Sequence, residues 1–265
     1  MKVLEIRNPQ SAIRNPKWNC LMGKKKNQIE NRNLCRKLRD EALSKGATEV
    51  HTAVTYVTKR KKDEEKLSQI MENLRKGVSG VIQIVSSTVE TRDPYTTGHQ
   101  RRVADLSRAI AEEMGLADDR RDGLRIAGTI HDLGKITIPV KILSKPTKLT
   151  KIEYKLIQTH SQTGHDILKD IDFSWPLAEM VYQHHERING SGYPRGLKGK
   201  DISPEAQILM VADVVEAMTS RRPYRPALGV DAALEEIEQN KGTLYDPEVV
   251  EVSLRLFNEK GYKLD

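Results

Sequence analysis

Six of the seven histidines in this 265-residue chain (His99, His131, His160, His165, His184 and His185) fall within one stretch of fewer than ninety residues, and only His51 lies outside it. That concentration constrains the fold strongly, because the segments between the histidines carry helical rather than strand periodicity. Val103, Leu106, Ile110 and Met114 share a helix face that ends at Gly115, and Leu124 to Ile130 leads directly into His131. Leu156 to Leu168 carries His160, and Trp175 to His185 is another apolar helix. Glu205 to Thr219 carries Asp213, and Ala232 to Ile237 and Val249 to Phe257 come after it. No alternating strand run punctuates this part, so it reads as an all-α bundle whose helix ends can bring imidazoles together.

The first quarter is different. Residues 1–66 hold 17 Lys/Arg against 8 Asp/Glu, so the net charge of +7 belongs to that segment. Lys24-Lys25-Lys26 and Lys59-Arg60-Lys61-Lys62 lack zinc-finger spacing and interleaved aromatics, so they read as a solvated basic segment, and no nucleic-acid polymer is expected. Asn8-Pro9 and Asn15-Pro16 predict loops over residues 1–50, and the alternating β-branched run His51 to Thr58 predicts a strand. Thr55 to Leu67 resembles the last strand and exit linker of a PAS-type sensor domain, with too little chain before it for a whole one. Cys20 and Cys35 make neither a disulfide framework nor a zinc site. No apolar run approaches the roughly 18 residues that span a bilayer. No signal peptide is recognisable, so the chain reads as cytoplasmic.

Leu67, Met71, Leu74, Val78, Val81 and Val85 then recur at alternating steps of four and three, a coiled-coil-like seam interrupted by Gly77 and Gly80. Such a seam serves either as a dimerising signal helix or as an ordinary amphipathic helix packed on its own domain. The expected organisation is a basic N-terminal segment over 1–65, α+β or disordered, a connecting helix over 66–90, and a helical domain over 91–265.

Asp213, set in Val211-Ala212-Asp213-Val214 on a helix bound for the core, needs a partner: a metal, an arginine or a cap. Adjacent His184 and His185 project about 100° apart on a regular helix, so both reach one ion only at a helix end. Ile188 to Pro194 supplies that break. Five histidines and two aspartates make a set large enough for two ions. Imidazole and carboxylate without thiolate suit iron or manganese, with zinc, nickel or magnesium as alternatives.

Three segments, DPYTTGHQRRV (93–103), HDLGKITIPVKILSKPTKLT (131–150) and HHERINGSGYP (184–194), resemble the HD-GYP family of cyclic di-GMP phosphodiesterases, a helical subgroup of HD-domain metal-dependent phosphohydrolases. VADVVEAMTSRRPYR (211–225) and GTLYDPEVV (242–250) extend the match. The resemblance implies a binuclear centre, with His99, His131, Asp132 and Asp213 on one ion and Asp132, His160, His184 and His185 on the other. It implies catalytic roles for Asp132, Lys135 and Asp93, and substrate contacts from Lys135, Arg222, Arg225 and Tyr193; surface salt bridging is the plain alternative for the two arginines. His165 has no counterpart among the ligands. Tyr95 stands where some members carry a third-metal glutamate, so two ions are expected. Asn189 and Glu216 stand where aspartates are common, which removes no ligand.

The function so implied is hydrolysis of cyclic di-GMP to linear pGpG, and onward to GMP, as the output domain of bacterial second-messenger signalling. Its partners would be cyclic di-GMP, a second copy through residues 67–85, and a diguanylate cyclase docked on the GYP loop. The rivals are a non-catalytic dinucleotide sensor or docking module, and a phosphodiesterase for another cyclic dinucleotide.

Overall fold

The computed structural model describes residues 48–92, 98–220 and 227–264, together with residues 36, 37 and 40. Among these it is helical throughout, with nine α-helices and no strand. They are α1 (Thr48–Arg92), α2 (His99–Glu113), α3 (Asp118–Ile130), α4 (Val140–Leu143), α5 (Lys151–Leu168), α6 (Leu177–Gln183), α7 (Pro204–Thr219), α8 (Val230–Gln239) and α9 (Pro247–Asn258). Short 3-10 helices cover Leu133–Thr137 and Gly199–Asp201. None of the helices is long and apolar enough to cross a membrane.

Two compact units divide between Gly77 and Val78. In the first, the strand expected over 51–58 is instead the opening of α1. β-branched residues cost a helix only tenths of a kcal/mol each, and a helix once nucleated propagates through them. The charged run after them supplies the support, with i,i+4 pairs Arg60–Glu64 at 3.1 Å and Glu72–Lys76 at 3.5 Å. Leu67, Met71 and Leu74 are each more than half exposed.

In the second unit α1 continues with Val78 and Val81 exposed, but Val85 is half-buried and Val89 is 3% exposed. The last turns of α1 thus pack on their own domain. Ile82, Val85 and Val89 meet Ile130, Leu133, Leu168 and Val181 in a small secondary core. Arg92 donates to the Ile138 carbonyl at 3.3 Å, and Ser86 bonds Gln100 on α2.

The main core is built around α7. Ile208, Leu209, Met210, Val211, Ala212 and Val215 are all buried, so this helix is apolar on nearly every face and belongs inside. Ser203 caps it through the Ala206 amide at 3.3 Å, with Pro204 at the first helical position. It packs against α2, α6, α8 and α9. Around it, Val103, Leu106 and Ile110 present the buried face of α2, and Leu124 and Ala127 that of α3. Thr150 and Glu153 form a reciprocal capping box at the start of α5. Asp246 caps α9 through the amides of Glu248 and Val249 at 2.9 and 3.1 Å. Two of these caps begin helices that carry site residues, α5 and α7, and the third begins α9.

Candidate metal centre

Five helices deliver the histidines and carboxylates to one buried place. His99 opens α2, His131 and Asp132 come directly after α3, His160 sits two turns before the end of α5, His184 and His185 come directly after α6, and Asp213 lies inside α7. His99, His131, Asp132, His160 and His184 are each at most 2% exposed. The ring centroids form a chain: His99 to His131 at 5.2 Å, His131 to His184 at 5.1 Å, His184 to His160 at 5.3 Å and His160 to His185 at 5.0 Å.

Three of the rings are held in the same way. The Nδ1–H groups of His131, His160 and His184 donate to the carbonyls three residues upstream, Gly128 at 2.8 Å, Ile157 at 2.7 Å and Val181 at 2.6 Å. Each Nε2 is then a bare lone pair aimed inward. His160 Nε2 and His184 Nε2 face one another at 3.3 Å, which two lone pairs cannot do as a hydrogen bond. His131 Nε2 is buried with no hydrogen-bond partner among the described residues. Asp132 presents Oδ2 to His131 at 3.5 Å and His99 at 3.8 Å, and Oδ1 to His160 at 3.5 Å. Asp213 Oδ1 lies 3.3 Å from His99 Nε2, and its Oδ2 lies 3.9 Å from His185 Nδ1.

These separations are long for hydrogen bonds. They match the spacing of neighbouring donors around a shared ion, since donors each roughly 2.1 Å from a tetrahedral metal stand about 3.4 Å apart. The groups His99/His131/Asp213, His131/Asp132/His184 and His160/His184/His185 each bring three donor atoms within 4.8 Å of one another. The residues therefore fit divalent metal.

The electrostatics agree. Burial drives the His160 imidazole down to about 4 against the pull of Asp132, and the His184 imidazole down to about 3. Both are therefore neutral imidazoles at neutral pH, the form that binds a cation. Burial alone would raise the Asp132 carboxyl, yet Lys135, His131, His160 and His99 hold it well below the usual carboxylate range. Asp213 is likewise held down against burial, chiefly by His99.

His99 is held differently. Its Nδ1 meets the fully buried Glu216 carboxylate, three residues after Asp213 on α7. Arg102 donates Nε and Nη2 to Glu216 Oε1 at 2.8 and 2.6 Å, and Ser220 Oγ adds 2.6 Å. These partners hold the Glu216 carboxyl down to about 2 against burial. Glu216, seen in the sequence only as a departure from an aspartate, is thus the orienting partner of His99. Its signal was there: like Asp213, it is a carboxylate on the most apolar of the described helices.

Lys135 donates to Asp132 Oδ2 at 2.7 Å from the 3-10 turn Leu133–Thr137. That turn lies against α5 so closely that a Cβ on Gly134 would overlap the His160 carbonyl and stand 2.7 Å from the Gly164 amide. Tyr193 lies tilted against His185, with ring centroids 4.7 Å apart and planes at 33°, and its amide donates to the His185 carbonyl at 3.2 Å. Fully buried Glu186 shapes this loop by accepting from the amides of Arg195 at 2.8 Å and Leu197 at 2.9 Å. Asn189 turns its side chain to the Ser191 amide at 2.9 Å, a local turn bond that an aspartate could also make. His165 stands apart, stacked on Tyr182 and 3.5 Å from Glu179. Asp93, Tyr95, Arg222 and Arg225 lie outside the described residues.

A family model for the HD domain matches residues 83–249. A cyclic di-GMP phosphodiesterase of Thermotoga maritima is 43% identical over 183 residues, 68% of this chain and 49% of that protein. The 3'3'-cGAMP-specific phosphodiesterase 3 of Vibrio cholerae is 38% identical over 63% of this chain and 36% of its own length. The cyclic di-GMP phosphodiesterase response regulator RpfG of Xanthomonas campestris is 36% identical over 72% of this chain and 51% of its own. The chain thus spans about half or less of the length of these relatives.

Proposed function

The chain belongs to the HD domain family, and from that premise we propose that it is a metal-dependent phosphodiesterase hydrolysing cyclic di-GMP to linear pGpG, and onward to GMP. The observation that carries this reading is the set of inward Nε2 lone pairs facing one another and two low-pKa carboxylates in a buried place. Such a set is a cation site. In this reading His99, His131, Asp132 and Asp213 would hold one ion and Asp132, His160, His184 and His185 the other, with Asp132 shared. Iron or manganese suits the donor chemistry.

Divalent ions bound there supply Lewis acidity toward a phosphodiester and a water of lowered pKa. The protein's own groups do the rest. Lys135, beside Asp132, turns its ammonium to a phosphate oxygen. Tyr193, half-buried over His185, closes one side of the centre and limits water. Arg222 and Arg225 are assigned to the substrate's phosphates and Asp93 to proton movement by the motif match alone. The exposed seam from Leu67 to Val81 is assigned to pairing with a second copy.

The test is turnover of cyclic di-GMP by protein purified anaerobically, with metal analysis of the same sample. About two iron or manganese ions per chain and a linear product are expected. Fully metal-loaded protein that hydrolyses no cyclic dinucleotide overturns the proposal. The relative named for 3'3'-cGAMP favours a second reading, in which that mixed dinucleotide is the better substrate. Comparing kcat/KM for the two decides between them.

A further inference from the structure

Arg187 lies three and two residues after the candidate ligands His184 and His185, and the proposed chemistry leaves it unused. It is half-buried, and among the described residues no carboxylate lies within ion-pair distance of it. Its Nη1 donates only to the Glu186 carbonyl, at 3.2 Å. Its guanidinium lies over the ring of Tyr245, 5.2 Å from the centroid. An arginine with an aromatic platform and no counter-ion keeps a planar fork of donors free for an anion.

The platform is built by the motif 242–250, which takes no part in the metal cluster. Gly242, at φ 74°, donates its amide to the Tyr245 carbonyl at 2.9 Å and closes a tight loop. Leu244 accepts the Ile188 amide at 3.2 Å, and Gly190 donates to the Arg187 carbonyl at 2.7 Å, so the main chain is pinned on both sides of Arg187. Tyr245 is 2% exposed and donates its hydroxyl to Glu236 at 3.2 Å, which fixes the ring. The place is beside the centre: Arg187 follows His185 by two residues, and Tyr193, whose ring lies 4.7 Å from that of His185, donates its amide to the His185 carbonyl.

We infer that Arg187 holds the second phosphodiester of a cyclic dinucleotide, the one away from the ligand cluster, and that the loop Gly242–Pro247 positions it. The inference rests on the cyclic-dinucleotide reading and deepens it. Such a ring carries two phosphodiesters; Lys135 stands beside one, and Arg187 joins Arg222 and Arg225, which the motif match assigns to the phosphates, in holding the other. Arg187 is the substrate contact in this account, and Tyr245 is a positioning residue.

The experiment uses the metal-loaded full chain with Arg187→Gln, Tyr245→Leu and Tyr245→Phe. Three probes are compared: cyclic di-GMP, cyclic di-AMP as a competitor, and bis(p-nitrophenyl) phosphate, which has a single phosphodiester and no base. Arg187→Gln is expected to raise KM for cyclic di-GMP about 10- to 100-fold with kcat little changed. It should weaken competition by cyclic di-AMP by the same factor and leave metal content and aryl-ester turnover unaltered. Tyr245→Leu should reproduce the KM effect in part, and Tyr245→Phe should keep most of the wild-type KM. An unchanged KM, an equal loss on the aryl ester, or a loss confined to guanine-containing ligands each overturns the inference. A wild type inactive on cyclic dinucleotides overturns the substrate reading itself, an outcome distinct from an active wild type with an unaltered variant.

Discussion

The two ends of the ligand cluster are held by different kinds of partner. At one end His131, His160 and His184 lean on main-chain carbonyls of their own helices. At the other His99 leans on a buried side-chain network, Glu216 with Arg102 and Ser220. Main-chain support comes with the helix and cannot be deleted by a side-chain change. Side-chain support can be lost by one substitution, and it carries a buried charge whose other interactions must all stay in place. The difference says where the centre is robust and where it can be broken.

The largest effect should come from the residue common to both ends. Asp132→Ala removes the carboxylate that faces His131 and His160 together, and turnover should fall by more than about 1000-fold with metal content reduced at both positions. Retention of either ion at full occupancy would break the proposed sharing. Glu216→Gln should act on one end only. Support of this kind is typically worth about 10- to 100-fold in metal affinity, so a titration should show one weakened ion and one unaffected.

Acid sharpens the comparison in metal-free protein. His160 at about 4 and His184 at about 3 sit below the ordinary 6.5, so the unfolded chain takes up protons first as pH falls. Stability is therefore full above about 6.5 and is lost as pH drops toward 4, by roughly 3 kcal/mol for His160 alone. Glu216, lowered to about 2, acts with the same sign in a lower window: its contribution is full above the ordinary carboxylate range and is lost progressively as pH falls from there toward 2. Denaturant melts at pH 7, 5.5 and 4.5 check this, and a flat profile would contradict neutral buried imidazoles. The smallest effect is expected for Tyr193→Phe, which keeps the ring on His185 and should cost turnover less than about 3-fold, whereas Tyr193→Ala should cost more.

Much of this was legible in the chain. Asp213 betrayed itself as a carboxylate on an apolar helix, and the helical periods at 156–168, 205–219 and 249–257 fall within helices of the structure. The seam at 67–85 read equally well as a dimerising helix or as one packed on its own domain; the structure packs its end, at Val85, and leaves Leu67 to Val81 exposed, because burial depends on what lies opposite. The β-branched run at 51–58 misled because alternation is a local signal and helix propagation is not. Arg187 was invisible for a related reason. Its platform, Tyr245, comes from a loop far along the chain, and no spacing encodes that meeting.

The small core beneath the ligands has a mechanical consequence. Ile130 and Leu133 flank the His131-Asp132 pair, Val181 supplies the carbonyl that steadies His184, and Val89 of α1 is pressed against the same cluster. Close-packed hydrocarbon passes displacement on rather than absorbing it. A slight roll of the last turns of α1 would therefore shift the footing of His131, Asp132 and His184 directly, through side chains already packed against one another.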